Sequence, residues 1–144
     1  MADEPALIFD PFSPADVKQF VEDQIVAFNI AMSGAAGWQP VGYFLRNERG
    51  EYLGGCLGYI WGGWIHVQWL WVAEAWRGRG QGMRLLNAAE TLAVEHGARA
   101  ATLETHNQAA MAFYLRRGYT VAGQIEDYPP GFTKYLLRKT LMEK

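Results

Sequence analysis

The chain has 144 residues, half of them hydrophobic, and a formal net charge of −2. That length suits one domain, residues 1–144, and the absence of a basic run, a signal peptide or an apolar run of ~18 residues points to a soluble, cytoplasmic protein with no nucleic-acid or membrane partner. A single cysteine, Cys56, rules out an internal disulfide, and with three scattered histidines it leaves no metal-ligand cluster, so no metal is expected.

Residues 1–5 read as a loose start and Ala6–Asp10 as a short first strand. Ser13-Pro14-Ala15-Asp16 is a helix start, with Ser13 as the cap and Pro14 in the first helical position. Val17, Phe20, Val21, Ile25, Phe28 and Met32 follow at helical spacing until Gly34 and Gly37 end the helix in a loop. Trp38–Arg46 and Tyr52–Ile60 read as a hairpin joined by Asn47-Glu48-Arg49-Gly50-Glu51. Gly54, Gly55 and Gly58 fit a bulge or the close approach of another backbone.

Trp64–Val72 is the central strand. Ile65, Val67, Trp69 and Trp71 alternate with Trp64, His66, Gln68, Leu70 and Val72, giving one strongly apolar face and a second face with two polar residues. A short acidic turn leads to Arg77-Gly78-Arg79-Gly80-Gln81-Gly82 and a helical pattern. Glycines let a backbone approach a ligand closely, and the free N–H groups of a helix start form an anion site with the positive end of the helix dipole. A tight turn with solvated arginines is the plainer reading; three alternate glycines ahead of a helix favour a phosphate cradle. The run lacks Gly-Lys-Ser/Thr, which excludes a P-loop. It is also not Gly-x-Gly-x-x-Gly, which leaves a dinucleotide fold, with Glu104 as its ribose-binding acid, a weak rival.

Met83, Leu85, Leu86, Ala89, Leu92 and Ala93 give the next helix an apolar face up to His96-Gly97. Ala100–Thr105 is a further strand, parallel to the central one if the helix crosses over. Asn107 can cap a helix containing Ala109, Ala110, Phe113 and Tyr114, stopped by Gly118. Tyr119–Gln124 and Phe132–Lys139 close the chain on either side of Glu126-Asp127-Tyr128-Pro129-Pro130-Gly131.

This order of elements resembles the GNAT superfamily of acetyl-CoA-dependent N-acetyltransferases. Arg77-Gly78-Arg79-Gly80-Gln81-Gly82 is similar to the family's Gln/Arg-x-x-Gly-x-Gly/Ala motif. Asn107-Gln108-Ala109-Ala110-Met111-Ala112-Phe113-Tyr114, followed by Arg116-Arg117-Gly118-Tyr119, is similar to its Asn-x-x-Ala-x-x-Phe-Tyr and following Gly-Phe/Tyr. The resemblance is best over Trp64–Lys139. It implies an α/β (α+β) fold with a mixed, mostly antiparallel sheet of six to seven strands flanked by helices, the fourth and fifth strands (Trp64–Val72 and Ala100–Thr105) being parallel. It further implies transfer of the acetyl group of acetyl-CoA to a primary amine of a small molecule, by direct attack in a ternary complex. A catalytically silent acyl-CoA-binding sensor and a protein N-terminal acetyltransferase are the alternatives, and a homodimer stays open.

The same resemblance distributes the roles. The amides of Arg79–Met83, in the loop of Arg77, Gly78, Gly80, Gln81 and Gly82, hold the pyrophosphate. Backbone groups of Leu70, Trp71 and Val72 hold the pantetheine arm and polarise the carbonyl; Asn107 contacts the arm; Tyr114 protonates the leaving sulfur. Asn107 and Tyr114, two helical turns apart, share one face. A plain helix cap and a core aromatic are the plainer readings of these two. The base is His66, a residue type that titrates near neutrality, or Glu104, or ordered water. The acceptor enters between 33–40 and 124–132, where Glu126, Asp127 and Tyr128 would attract a protonated amine and Trp38 and Trp61 offer aromatic faces. A solvated turn and core tryptophans are the plainer readings there.

Overall fold

The structure, a computed structural model, describes residues 3–142, so the first two residues of the expected loose start lie outside the described residues. The chain divides into two compact units, Met1–Ala36 and Gly37–Lys144. In the first, the strand expected over Ala6–Asp10 does not form. Pro5 and Pro11 bracket that run, and each lacks the N–H a ladder would use. Helix α1 spans Ala15–Ser33; Pro14 itself takes the cap position and no side chain caps the helix, so Ser13 does not have the expected role. Gly34 ends it in the left-handed region at φ 71°, its N–H bonded to the Ile30 carbonyl at 2.8 Å. The apolar stripe Val17, Phe20, Val21, Ile25, Phe28 and Met32 is exposed.

The second unit is built on β1 (Gln39–Arg46), β2 (Tyr52–Trp61), β3 (Trp64–Val72), β4 (Ala100–Thr105), β5 (Thr120–Ile125) and β6 (Lys134–Thr140), with α2 (Gln81–Glu95) and α3 (Gln108–Arg116) between them. The six strands form one sheet in the order β1-β2-β3-β4-β6-β5. Every pairing is antiparallel except β3 with β4. Because the first expected strand is missing, the parallel pair is the third and fourth strands rather than the fourth and fifth. The β1–β2 turn closes as its sequence suggests: Asn47 Oδ1 accepts from the amides of Arg49 and Glu51 at 3.0 and 2.9 Å.

Helix α2 is the crossover between the parallel strands, and its inward stripe of Leu85, Leu86, Ala89 and Ala93 joins Cys56, Ile65, Val67 and Leu103 in the core. One buried charge sits in this packing. Glu90 on α2 accepts from the Tyr119 hydroxyl at 2.8 Å and from Lys139 Nζ at 2.7 Å, so both oxygens are satisfied. A carboxylate so bonded can be kept from water, and it ties α2 to β6 and to the segment after α3.

The decisive irregularity lies between β2 and β3. Leu57 pairs with Trp69 but Gly58 with Val67, so Gln68 is an extra residue on β3. A bulge of this kind reverses which side of the sheet later residues face. Ile65 and Val67 are buried on the α2 side, as expected, but Trp69 and Trp71 are 68% and 52% exposed, while Leu70 and Val72 pack on the core. The strict alternation read from the sequence therefore fails after Val67. Gly58 is the residue that permits the bulge, because a Cβ there would collide with the His66 carbonyl. Replacing it by alanine should cost about 2 kcal/mol or more of stability, the range for a forced backbone shift in a packed site. Gly123→Ala, at a position with open space around it, should stay within ~0.5 kcal/mol. Urea unfolding of both variants checks this; equal midpoints would refute it.

Candidate functional site

The bulge also parts β3 from β4. The two strands pair only from Trp64 to Val67 against Ala100 to Leu103. Beyond that point β3 runs on to Val72 without a β4 partner, and a cleft opens between the strands. Two cavities occupy it. One, of about 1030 Å³, is walled by His66, Trp69, Glu104, His106 and Phe132 among others. The other, of about 730 Å³, runs past Val72, Gly80, Gln81 and Gly82 to Phe113, Arg116 and Arg117. Leu70, Trp71, Asn107, Ala110 and Tyr114 line both, so the two spaces meet where β3 faces α3.

The glycine loop forms the mouth of the second cavity. Gly78 and Gly80 lie at φ 73° and 77°, conformations that side-chain-bearing residues rarely adopt. The first amide of α2 to bond back is that of Arg84, to the Gly80 carbonyl at 3.0 Å. The amides of Gln81, Gly82 and Met83 therefore head the helix, and no side chain caps them. Such a terminus suits an anion. The two loop arginines are otherwise engaged. Arg77 Nε donates to the Val72 carbonyl at 2.8 Å, bracing the end of β3, and the Arg79 guanidinium lies 5.1 Å over the Trp76 ring, outside the groove wall.

Asn107 is the cap of α3, its Oδ1 accepting from the amides of Ala109 and Ala110 at 2.9 and 3.4 Å. Tyr114 is 8% exposed, its ring set edge-on between Phe113 and Tyr119. Burial pushes its phenol up to about 12, with the buried Cys56 nearby adding to the effect. The Cys56 thiol is itself pushed up to about 11, first by burial and then by the Glu90 charge. Tyr114, which lines both cavities, therefore keeps its hydroxyl proton throughout the neutral range.

In the larger cavity His66 Nδ1 lies 3.0 Å from the Tyr59 hydroxyl, and Tyr59 stacks on Trp38 with centroids 5.8 Å apart. Trp38 thus stands behind the histidine rather than in the wall. Glu104 is bonded to Lys134 Nζ at 2.7 Å, and that contact holds the ammonium charged above its ordinary range. Lys134 also sits 4.9 Å over the Tyr128 ring, which lies 5.4 Å from His106. Glu126 and Asp127 are exposed and outside the wall, in the loop whose Pro129 and Phe132 line it. His106, Phe132, Lys134 and Tyr59 also belong to this neighbourhood, and no motif in the sequence marks them. Nothing local in a sequence pairs Tyr59 with His66; only the β2–β3 register does, where the two are directly opposite. Phe113, Arg116 and Arg117 stood inside the quoted motif without a role. Arg117 Nε is, among the described residues, a buried side-chain nitrogen without a hydrogen-bond partner, an arrangement that costs roughly 1–3 kcal/mol. Among the described residues no three His, Cys, Asp or Glu side chains cluster as metal ligands, and no helix is long and apolar enough to cross a membrane.

Residues 10–119 match the family model described as acetyltransferase (GNAT) family. Blasticidin-S acetyltransferase of Streptomyces morookaense is 46% identical over 95 residues, which cover 65% of this chain and 70% of that protein. Acetyltransferase Atu2258 of Agrobacterium fabrum is 32% identical over 124 residues, 86% of this chain and 90% of that one. Among solved structures, a crystal structure from Agrobacterium tumefaciens, put forward as an acetyltransferase, superposes with a TM-score of 0.87 at 30% identity, covering 94% of this chain and 99% of its own.

The raised phenol has a consequence for stability. The native chain holds the Tyr114 proton to about pH 12, whereas an unfolded tyrosine releases it near 10. The associated stability is complete below the unfolded value and is lost as pH rises through the folded one. Between pH 9 and 11, Tyr114→Phe should lose about 1 kcal/mol less stability than wild type. Urea unfolding at the two pH values measures the difference; equal losses would contradict the assignment.

Proposed function

Because this chain belongs to the acetyltransferase (GNAT) family of acyl-CoA-dependent N-acetyltransferases, we propose that it moves the acetyl group of acetyl-CoA onto an amine of a small molecule, with both substrates bound together in one domain. The observation that carries this reading is the junction of the two cavities at Leu70–Trp71 and Asn107–Tyr114. The smaller space suits a donor that begins in phosphates: uncapped amides at its mouth, a strand backbone without a partner along one side, and a neutral hydroxyl at its inner end. The larger space, with His66 and Glu104 in its wall, suits the acceptor. A relative named for acetylating the small molecule blasticidin S supports a small-molecule acceptor here.

In this reading the amides of Gln81–Met83 hold the diphosphate. Free backbone groups of Gln68–Val72 bind the amide-bearing arm of the donor and orient its thioester. The acceptor nitrogen attacks the thioester carbon as a free amine, a C–N bond forms, and the C–S bond breaks with its electron pair staying on sulfur. Tyr114 gives its proton to that sulfur and regains one, through water, from the acylated nitrogen, so that of the free amine's two protons one stays on the amide and the other balances the thiol. A phenol raised to about 12 is a weak acid against an ordinary thiol near 8.5. The relevant comparison is a thiol in the same surroundings, and Cys56, buried beside it, is raised to about 11. A leaving sulfur shut away from water is raised in the same direction, which brings its proton affinity nearer to that of the phenol.

The ammonium proton of the incoming amine leaves through His66, held at Nδ1 by Tyr59, or through water; Glu104, already paired with Lys134, is the less available acceptor. Trp38 backs this pair. Glu126, Asp127 and Tyr128 form the outer rim, where two carboxylates would draw a cationic amine toward the cavity. The donor reading excludes the dinucleotide rival on topology as well, since three antiparallel strands precede the loop.

The test is turnover of acetyl-CoA against a panel of amines, polyamines, amino acids and peptide N-termini, read as thiol release. No thiol release with any acceptor would overturn the enzymatic reading in favour of a binding module, and release with peptide N-termini alone would overturn the small-molecule acceptor. With an acceptor in hand, Tyr114→Phe should lower kcat roughly 10²-fold, as loss of an acid–base group usually does, with little change in the KM for acetyl-CoA. Full turnover would make Tyr114 a packing residue. The double variant Glu126→Gln, Asp127→Asn should raise the KM for a cationic acceptor at low salt and converge on wild type at high salt. An unchanged KM at low salt would remove the steering role.

A further inference from the structure

Arg117 carries the buried side-chain nitrogen that, among the described residues, finds no hydrogen-bond partner. Its guanidinium lies 5.0 Å over the Phe113 ring. Phe113 in turn reaches the start of α2, where a Cβ on Gly82 would stand 3.5 Å from the ring. Arg117 and its neighbour Arg116 therefore close the groove that opens at the α2 amides, and both line it. The positions of the other loop arginines sharpen the contrast: Arg77 is bonded to the Val72 carbonyl and Arg79 rests on Trp76. A cation at the C-terminal end of α3, stacked on an aromatic ring, would be reason enough for a positive charge here. Neither effect explains an Nε–H sealed off and left unbonded.

We propose that Arg117, flanked by Arg116, is the subsite for the 3′-phosphate of coenzyme A, and that it gives this protein its preference for coenzyme A over the dephosphorylated nucleotide. The inference rests on the groove being the acetyl-CoA site. Coenzyme A carries its diphosphate and its 3′-phosphate on one ribose. With the diphosphate at Gln81–Met83, the second phosphate would lie within one sugar of those amides, a reach that takes in Phe113 beside Gly82 and the guanidinium on it. A guanidinium edge of Nε and one Nη forms two parallel bonds to a phosphate, which a lysine cannot reproduce. Rotation of the guanidinium off Phe113 toward the entering phosphate supplies the missing partner for Nε. The free protein thus holds the donor group in a poor environment that the ligand relieves.

Calorimetric titration with coenzyme A and with dephospho-coenzyme A tests the proposal without turnover. Wild type should bind coenzyme A roughly 10-fold or more tightly than the dephospho form, the scale of one charge-assisted contact. Arg117→Met should reduce that preference to less than about twofold while leaving dephospho-coenzyme A binding as in wild type; Arg117→Lys should keep part of it, since charge remains and the fork is lost. Should the methionine variant not fold, the lysine variant and Arg117→Gln decide by the same titrations. Equal affinity of wild type for the two nucleotides would overturn the subsite alone. So would an equal weakening of both by the Arg117 variants, which would assign the residue to the diphosphate or to packing. Failure of wild type to bind coenzyme A at all would overturn the donor reading itself, and the subsite with it.

Discussion

The His66 carbonyl occupies the place where residue 58 would carry a Cβ, and the site is arranged around that close approach. Only glycine lets β2 and β3 come so near, and the nearness absorbs the extra residue, Gln68, into β3. The strand then leaves β4 after Val67, turns Trp69 and Trp71 away from α2, and directs Leu70 and Val72 onto the core. Each wall of the cleft follows. Arg77 braces the free end of β3 at Val72, α2 begins at the glycine loop beside it, and α3, capped by Asn107, brings Tyr114 to the opposite side. A lost methyl group thus bears on the position of Tyr114, the proposed proton donor, four elements away.

Burial is the second organising effect. Tyr114, Tyr119, Cys56 and Glu90 share one interior, and all but the carboxylate are neutral there because a charge would be poorly solvated. Glu90 is the exception that can be charged, since Tyr119 and Lys139 bond both of its oxygens. Its negative charge in turn adds to the pressure that keeps Cys56 and Tyr119 protonated. The chemistry proposed for Tyr114 uses the same property: surroundings that disfavour charge keep the phenol protonated and raise the proton affinity of a leaving sulfur beside it.

Most of the sheet and both of its helices were legible in the sequence because their signals are local. The Asn47–Glu51 turn, the glycine loop and the Asn107 cap each act within a few residues, and the structure forms all three. The missed items depended on something non-local or on competition between local preferences. Ala6–Asp10 has strand composition but prolines at its borders. Pro14 displaced Ser13 from the cap because its own backbone fits that position. The alternation of β3 failed at Gln68 because register is set by a partner strand, and the glycines of β2 hinted at a bulge without placing it. Lys134 and Glu104 are 30 residues apart in sequence, and no spacing rule links them; the β4–β6 ladder does, setting Glu104 opposite Leu136 with Lys134 a diagonal neighbour.

The parting of the parallel strands gives the sheet an internal edge. From Gln68 to Val72 the strand offers unpaired backbone groups toward β4, the condition that proteins ordinarily avoid because another extended chain can dock there. Here it is short, and the arginine bond at Val72 closes one end. An arm bearing amide groups, laid along it, would act as a temporary strand and complete the ladder. Ligand occupancy and conformational integrity are then coupled by mass action. The unliganded molecule would be the form most exposed to self-association, and a cell in which the donor is abundant would hold the protein in its better-protected state.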